Sequence, residues 1–238
     1  MSVSKGLWAI VPAAGSGLRM RADRPKQYLP LLGRSVLHCT LERLGSFPTL
    51  QGVLVGIAQD DPYWPTVSAE DIPGLLGSFT GGAERAITVL KGLRELSRHA
   101  PDSDWVLVHD AVRPCVRHSD IQALVAMRDS CPDGALLGLP LADTVKRTDE
   151  SGGILETVSR DGLWRALTPQ LFPIGLLRGA LERALQAKVA ITDEASAMEH
   201  VGRHPRMVAG HADNIKITVA GDLALAELYL RQQKTEGV

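Results

Sequence analysis

Short apolar runs alternate along this chain with amphipathic helical segments, and no other feature limits the possible folds as strongly. The runs that we predict to be buried strands are Leu7–Val11, Gly52–Ala58, Trp105–His109 and Ala135–Leu141. Apolar residues at helical spacing predict helices at Ser35–Leu44, from Arg85 through Leu96, and at Ile121–Met127, Leu176–Leu185 and about Asp222–Leu230. This order is typical of βαβ units, so we predict an α/β fold with a mostly parallel sheet flanked by helices.

One segment departs from this alternation. Thr144–Arg147 and Ile154–Val158, with a turn at Ser151-Gly152-Gly153 between them, have the pattern of a β-hairpin. A hairpin inserted in an α/β domain leaves strand edges that need covering. We expect the same arm of a second subunit to cover them, which predicts a homodimer. Further along the chain, Met207–Ala209 and Ile215–Val219 are predicted to be short strands.

The composition is that of an ordinary globular protein and narrows the function classes. Of 238 residues, 45% are apolar and 22% are charged, which suffices for one large α/β domain or two small ones. A net charge of −1 gives no support for non-specific nucleic-acid binding. Three cysteines without C-x-x-C spacing fit reduced thiols in a cytoplasmic protein. No window approaches the ~18 apolar residues that span a bilayer, and the first apolar stretch is too short for a signal peptide.

A loop of small residues, Ala13-Ala14-Gly15-Ser16-Gly17, follows the first strand and precedes the basic residues Arg19, Arg21, Arg24 and Lys26. Such a loop lets backbone approach a ligand closely and forms a concavity suited to anions. We interpret it as a triphosphate-binding loop, with a turn that binds no ligand as the alternative. The P-loop pattern is absent, and the dinucleotide fingerprint fails at Met20, which disfavours a dehydrogenase.

Two further places favour ligand binding at the carboxyl ends of strands, where open α/β sheets bind ligands. Gly81-Gly82 lies directly before a predicted helix, whose amino end is suited to an anion. Asp110 follows Trp105–His109 and is placed for a substrate hydroxyl or a divalent cation, or for capping the next turn. We expect His109 to be packed or hydrogen-bonded within the sheet and not to act as a catalytic base. His200 and His204 are not expected to bind a metal, because Gly202 lies between them and Pro205 follows.

These motifs together resemble one family. PAAGSGLRM, PKQY, GGAER, VHDAVRP, the DT-x-KR hairpin, SRDGLW, LTPQ, ITDEASA and ADNIK occur in the order and at the spacings of 2-C-methyl-D-erythritol 4-phosphate cytidylyltransferases of the non-mevalonate isoprenoid pathway. The resemblance covers essentially the whole chain. It implies a single Rossmann-like nucleotidyltransferase domain over residues 1–238, with a dimerising β-arm at about 143–160. It also implies Mg²⁺, and a reaction of CTP with the methylerythritol phosphate that gives the CDP-alcohol and pyrophosphate.

The resemblance also implies roles for individual residues. Arg19 and Lys26 match the positions that stabilise the charged transition state, and Arg160 and Lys216 match those that position the acceptor phosphate. The positions that line the CTP site are Ala13, Ala14, Gly15, Gly17, Gly82, Thr88 and Ala111. Further acceptor contacts, some reaching across the dimer, fall on Asp110, Arg113, Thr144, Thr168 and Thr192.

Two positions depart from the family pattern. Ala83 stands where relatives commonly have an acidic residue, so we expect cytosine recognition to depend more on backbone groups. Thr88 replaces a serine but keeps the hydroxyl. The competing interpretations are a cytidylyltransferase for another polyol phosphate, such as ribitol 5-phosphate, and a catalytically silent nucleotide-binding protein with the same fold.

Overall fold

A computed structural model describes residues 5–15, 24–67 and 69–236, in which helices flank a central sheet. The strands are β1 Leu7–Pro12, β2 Pro30–Leu31, β3 Arg34–Ser35, β4 Leu50–Ile57, β5 Leu75–Thr80, β6 Trp105–Val108, β7 Ala135–Pro140, β8 Val145–Thr148, β9 Ile154–Val158, β10 Trp164–Pro173 and β11 Arg206–Ala209. The α-helices are α1 Val36–Gly45, α2 Arg85–Leu96, α3 His118–Val125, α4 Ile174–Gln186, α5 Glu194–His200 and α6 Gly221–Glu236.

The central sheet has seven strands in the order β11-β7-β10-β6-β1-β4-β5. All neighbouring pairs are parallel except those of β10, which runs antiparallel to both β6 and β7. The prediction of a mostly parallel α/β sheet is therefore confirmed. Its parallel strands bring their carboxyl ends, and the loops that follow them, to one edge of the sheet.

Alternate side chains of each strand bury against different helices. Ala9 and Val11 of β1 belong to the core that includes α1 and α3, whereas Trp8 and Ile10 belong to the core with α2, α4 and α5. Because successive strand side chains point to opposite faces, a run that is apolar at every position requires a covered sheet on both sides. The continuous apolar run of β1 thus accounts for the helices on both faces.

The predicted β-hairpin is present as β8 and β9, which pair only with each other in an antiparallel two-stranded sheet within the described residues. It stands apart from the central sheet, and Ile154 and Leu155 are 66% and 63% exposed.

The strand predicted at Ile215–Val219 is wrong, because its backbone bonds to a loop and a side chain instead of a strand. Ile217 N–H donates to the Val112 carbonyl at 2.9 Å. Thr218 and Val219 N–H groups both donate to the Asp222 carboxylate, at 2.8 and 3.0 Å. The segment therefore forms an irregular connection that leads into α6.

Helix α6 extends beyond the predicted end near Leu230. Gln233 is fully buried and its Nε2 donates to the Cys115 carbonyl at 2.9 Å and to Asp213 at 2.8 Å. These bonds tie the last turns to the body of the protein. Within the described residues, no helix is both long enough and apolar enough to cross a membrane.

Candidate active site

The small-residue loop after β1 is held in place by a buried glutamine. Gln27 Nε2 donates to the carbonyls of Ala13 and Gly15, at 2.9 and 3.0 Å. Ala13 N–H in turn donates to the Gly56 carbonyl at 2.6 Å, which ties the loop to the end of β4. Gln27 is 4% exposed, and its bond to the Ala13 carbonyl is buried. These bonds hold residues 13–15 at the carboxyl edge of the sheet.

The glycine pair after β5 approaches the first loop closely. A Cβ atom on Gly81 would lie 2.6 Å from the Ala14 Cβ, so only glycine permits this contact. Gly82 N–H donates to Thr88 Oγ1 at 3.0 Å, and that hydroxyl donates to the Glu84 carbonyl at 3.1 Å. Thr88 thus shapes the loop that precedes α2.

Together the two loops border a cavity of about 560 Å³, a volume typical of small-molecule sites. The described positions predicted to bind CTP all line this first cavity: Ala13, Ala14, Gly15, Gly82, Thr88 and Ala111. Lys26, which is predicted to act on the phosphates, lines it as well. Gly17 and Arg19 lie outside the described residues.

Asp110 lies at the end of β6 and pairs with three cations. Arg85 Nε is 3.2 Å from Oδ1, Arg113 Nε is 3.4 Å from Oδ2, and Lys216 Nζ is 2.8 Å from Oδ2. Burial alone would raise the pKa of Asp110, but Arg85, Lys216 and Arg113 together lower it below its usual range. The carboxylate is therefore ionised at neutral pH and holds these cations beside the cavity.

Arg85 also binds a second, fully buried carboxylate. Its Nη1 is 2.5 Å from Glu194 Oε1, and the Glu194 side chain is 1% exposed. Burial alone would lower the pKa of Arg85, but Glu194 and Asp110 raise it above its usual range. Arg85 therefore links the first residue of α5 to the carboxylate after β6.

A second cavity of about 290 Å³ adjoins the first, and Arg85, Asp110 and Lys216 line both. Five positions predicted to contact the acceptor line this second cavity, which we name the acceptor cavity after that prediction: Asp110, Arg113, Thr168, Thr192 and Lys216. Thr168 reaches it because β10 continues past the end of β6, with an irregularity in its pairing to β7 between Ala166 and Gln170.

Two predicted acceptor residues lie elsewhere. Of the predicted positions that the structure describes, Thr144 and Arg160 line neither cavity. Both are exposed residues flanking the β8–β9 hairpin, and Arg160 donates to the carbonyl of Ala142. The chain by itself therefore does not bring them to the other predicted residues.

Sequence reasoning missed three residues that organise the site, namely Gln27, Arg85 and Glu194. Gln27 lies in the motif PKQY and Arg85 in GGAER, but the predicted roles in these motifs fall on Lys26 and Gly82. Glu194 follows Asp193, the N-cap of α5, whose carboxylate accepts from the Ser196 N–H at 2.9 Å. Its partner Arg85 is 109 residues away along the chain, so no local pattern could connect the two.

The residues that the structure describes do not provide a metal-binding set. Within the described ranges, no group of three or more His, Cys, Asp or Glu residues could hold an ion. Asp110, a carboxylate that lines both cavities, is already paired with Arg85, Arg113 and Lys216. A site with three cations on one carboxylate suits anionic ligands.

Comparisons with known proteins find one family over nearly the whole chain. Residues 7–232 match the family model described as 2-C-methyl-D-erythritol 4-phosphate cytidylyltransferase. A protein of that name from Hahella chejuensis is 52% identical over 226 residues, covering 95% of this chain and 93% of the relative. One from Aeromonas hydrophila is 53% identical over 228 residues, covering 96% and 91%.

Solved structures give the same result. A crystal structure of 4-diphosphocytidyl-2C-methyl-D-erythritol synthase superposes with a TM-score of 0.84 at 35% identity, covering 96% of this chain and 100% of that one. The Francisella tularensis 2-C-methyl-D-erythritol 4-phosphate cytidylyltransferase gives a TM-score of 0.80 at 33% identity, covering 94% and 99%. The chain therefore belongs to the 2-C-methyl-D-erythritol 4-phosphate cytidylyltransferase family.

Proposed function

We propose that this protein transfers the cytidylyl group of CTP to 2-C-methyl-D-erythritol 4-phosphate, giving 4-diphosphocytidyl-2-C-methyl-D-erythritol and pyrophosphate for isoprenoid precursor synthesis. Membership of the family supports this activity. The structural observation that carries it is the wall of Arg85, Asp110 and Lys216 shared by the two cavities. A nucleotide in one cavity and a phosphorylated polyol in the other would meet at that wall.

The reaction requires no general base from the protein. A phosphate oxygen of the acceptor attacks the α-phosphorus of CTP, and the bond from that phosphorus to the bridging oxygen of the leaving pyrophosphate breaks. The second pKa of a phosphate monoester is near 6, so the nucleophile is already largely ionised at neutral pH. The demand on the protein is to bring two anions together and to stabilise the charge that develops.

The basic residues supply that stabilisation in our proposal. Lys26 and Arg19 act on the triphosphate in the transition state, while Lys216 holds the acceptor phosphate. Lys216 is suited to this task because its side chain is 40% exposed while its ammonium is paired with Asp110. Fixed cations stabilise a transition state well because they need no reorganisation during the reaction.

We infer that the divalent ion of the reaction, Mg²⁺ by family resemblance, enters on the nucleotide. The described side chains do not fit a metal site, since Asp110 is committed to Arg85, Arg113 and Lys216. Triphosphate oxygens are hard ligands of the kind that Mg²⁺ prefers. No step of the reaction is assigned to a metal held by the protein.

We also propose that the chain works as one catalytic domain, residues 1–238, that dimerises through the arm at about 143–160. The exposed Ile154 and Leu155 would be covered by the partner's arm. A dimer would also explain why Thr144 and Arg160 lie outside the cavities of their own chain. In this arrangement Arg160 serves the acceptor cavity of the other subunit.

The decisive experiment is an acceptor comparison with purified protein. Pyrophosphate release and the nucleotide product are measured with CTP, Mg²⁺ and equal concentrations of either 2-C-methyl-D-erythritol 4-phosphate or ribitol 5-phosphate. We expect turnover with the first, and CTP alone serves as the control for hydrolysis. Preference for ribitol 5-phosphate would assign the chain to the rival reaction, and no turnover with either would favour a silent nucleotide-binding protein.

A further inference from the structure

The buried residue His109 connects the two strands that carry the acceptor cavity. It follows β6 directly and is fully buried. Its Nδ1 lies 3.0 Å from the Thr168 hydroxyl of β10, and its Nε2 lies 2.9 Å from the Arg113 carbonyl. The catalytic proposal above assigns this ring no role.

The chemistry of the partners fixes one of the two ring protons. A backbone carbonyl only accepts hydrogen bonds, so His109 Nε2 must carry a proton to bond the Arg113 carbonyl. Full burial, with the charged Arg113 and Arg85 nearby, lowers the pKa of His109 to about 4. The ring is therefore neutral at physiological pH, and Nδ1 is left as an acceptor.

The Thr168 hydroxyl then accepts one hydrogen bond and donates another. Asp110 N–H donates to Thr168 Oγ1 at 3.0 Å, and a backbone N–H can only donate. The hydroxyl proton must therefore point to His109 Nδ1. A hydroxyl has one proton and two lone pairs, so only one lone pair remains for any ligand.

We propose that neutral His109, protonated at Nε2, is a positioning residue whose Nδ1 accepts the one hydroxyl proton of Thr168. Thr168 therefore holds the Asp110 backbone by accepting from its N–H, and it donates no hydrogen bond to a substrate phosphate. Oxygen atoms of an ionised phosphate only accept hydrogen bonds, and Thr168 has no second proton to give them. Thr168 acts through Asp110, whose backbone it holds. Only the statement about phosphate depends on the proposed function.

The hydrogen bonds of His109 are part of a closed ring that also includes Arg113, Asn214 and Thr168. Arg113 Nη1 donates to the Asn214 carbonyl at 2.8 Å, and Asn214 Nδ2 donates to the Thr168 carbonyl at 2.8 Å. His109 therefore lies within a closed set of bonds that includes Asp110 and Arg113, two residues that line the acceptor cavity. Disturbing the ring should move these two side chains and leave the nucleotide loop at Ala13 unaffected.

The hydrogen-bond direction is tested without any substrate, by ¹⁵N NMR of the native protein labelled at its seven histidines. The His109 signals are those missing from His109→Asn. We expect a protonated Nε2 and an unprotonated Nδ1. A ring protonated at Nδ1, or at both nitrogens, would overturn the proposal, because Thr168 would then accept from the ring and keep its proton for a ligand.

A matched pair of variants tests the role of Thr168 in the same way. Thr168→Val removes the hydroxyl and should shift both the His109 Nδ1 signal and the Asp110 amide signal, whereas Thr168→Ser should shift them much less. If Thr168→Val leaves both signals in place, Thr168 does not hold these groups and the proposal fails.

Kinetics provide a third measurement in the complete enzyme. His109→Leu removes both ring hydrogen bonds and should raise the KM for the acceptor by roughly tenfold, the factor of one net hydrogen bond. The KM for CTP should change by less than about twofold. An unchanged acceptor KM in a folded variant contradicts the proposal. Absence of turnover by the native enzyme contradicts the proposed function alone, since the NMR result would stand.

Discussion

Lys216 and Asp110 form an ion pair at the boundary of the two cavities, with Nζ 2.8 Å from Oδ2. The lysine is thus held in position before any ligand binds. Lys216→Met should raise the KM for the acceptor by about 10- to 100-fold, since a hydrogen bond to a charged group contributes about 1.5–3 kcal/mol. Initial rates at varied acceptor concentration measure this effect, with Lys216→Arg as the charge-keeping control. A rise confined to the KM for CTP would contradict the assignment.

Lys26 is predicted to act on turnover and not on folding. Lys26→Ala should lower kcat by about 10²–10³-fold, as for loss of one preorganised donor to a developing charge. The same substitution at Arg19 should have a similar effect. Steady-state kinetics and thermal unfolding are measured together, with the exposed Lys234→Ala as the control. Near-normal kcat in either active-site variant would remove that residue from the proposed mechanism.

Arg85 is predicted to be required for stability because Glu194 is buried beneath it. Arg85→Met leaves a carboxylate with 1% side-chain exposure without its cation, which should cost about 3–5 kcal/mol of unfolding free energy. Urea denaturation measures the loss. The control is Arg94→Met on the same helix, whose pair with Glu182 is 60% and 43% exposed and should cost less than about 1 kcal/mol. Equal losses of unfolding free energy in the two variants would show that the buried position of Glu194 does not make its ion pair more important for stability.

His109 predicts a dependence of stability on pH. Its folded-state pKa of about 4 lies below the ordinary 6.5, so between these values the unfolded chain binds a proton that the folded chain does not. Stability is fully present above pH 6.5 and falls as the pH drops towards 4, with about 2 kcal/mol lost between pH 7 and pH 5. Urea midpoints at the two pH values measure this loss. The difference should shrink in His109→Asn, and an unchanged difference would assign the loss to other groups.

The arm is predicted to hold the dimer through its exposed apolar side chains. Ile154 and Leu155 are 66% and 63% exposed, and replacing both by Ser should remove the area buried between subunits. Sedimentation velocity should then change from dimer to monomer. Val219→Ser is the control, because this 57% exposed residue lies outside the arm. A native protein that sediments as a monomer would contradict the dimer directly.

The sequence predicted best those elements whose signal is local. Strand β1 is a continuous apolar run and α4 has regular helical spacing, so both were placed to within a few residues. Strand β10 was not predicted, because Pro169 and Gln170 interrupt its apolar pattern. Ile215–Val219 has the alternation of a strand, but nothing in it specifies a partner, and the Asp222 carboxylate takes the N–H groups of Thr218 and Val219.

In the candidate site, too, residues with a local sequence signal were predicted and pairs that are distant along the chain were not. Motif positions such as Gly82 and Asp110 were found because each sits at the boundary of a strand or helix. Pairs such as Arg85 with Glu194, or His109 with Thr168, join distant parts of the chain, and only the fold reveals them. The proposed role of Arg160 likewise joins distant parts, because it would bring this residue to the acceptor cavity of a second chain.

The antiparallel direction of β10 has a consequence for how the acceptor cavity can change. Ala166, Leu167 and Thr168 line this cavity beyond the end of β6, and Gln170 lines it where β10 begins to pair with β6. In a strand, inserting or deleting one residue turns the following side chains to the opposite face. Exchanging these side chains would therefore alter the cavity alone, whereas a change in length before Gln170 would also turn the buried Leu171 and Phe172 that follow.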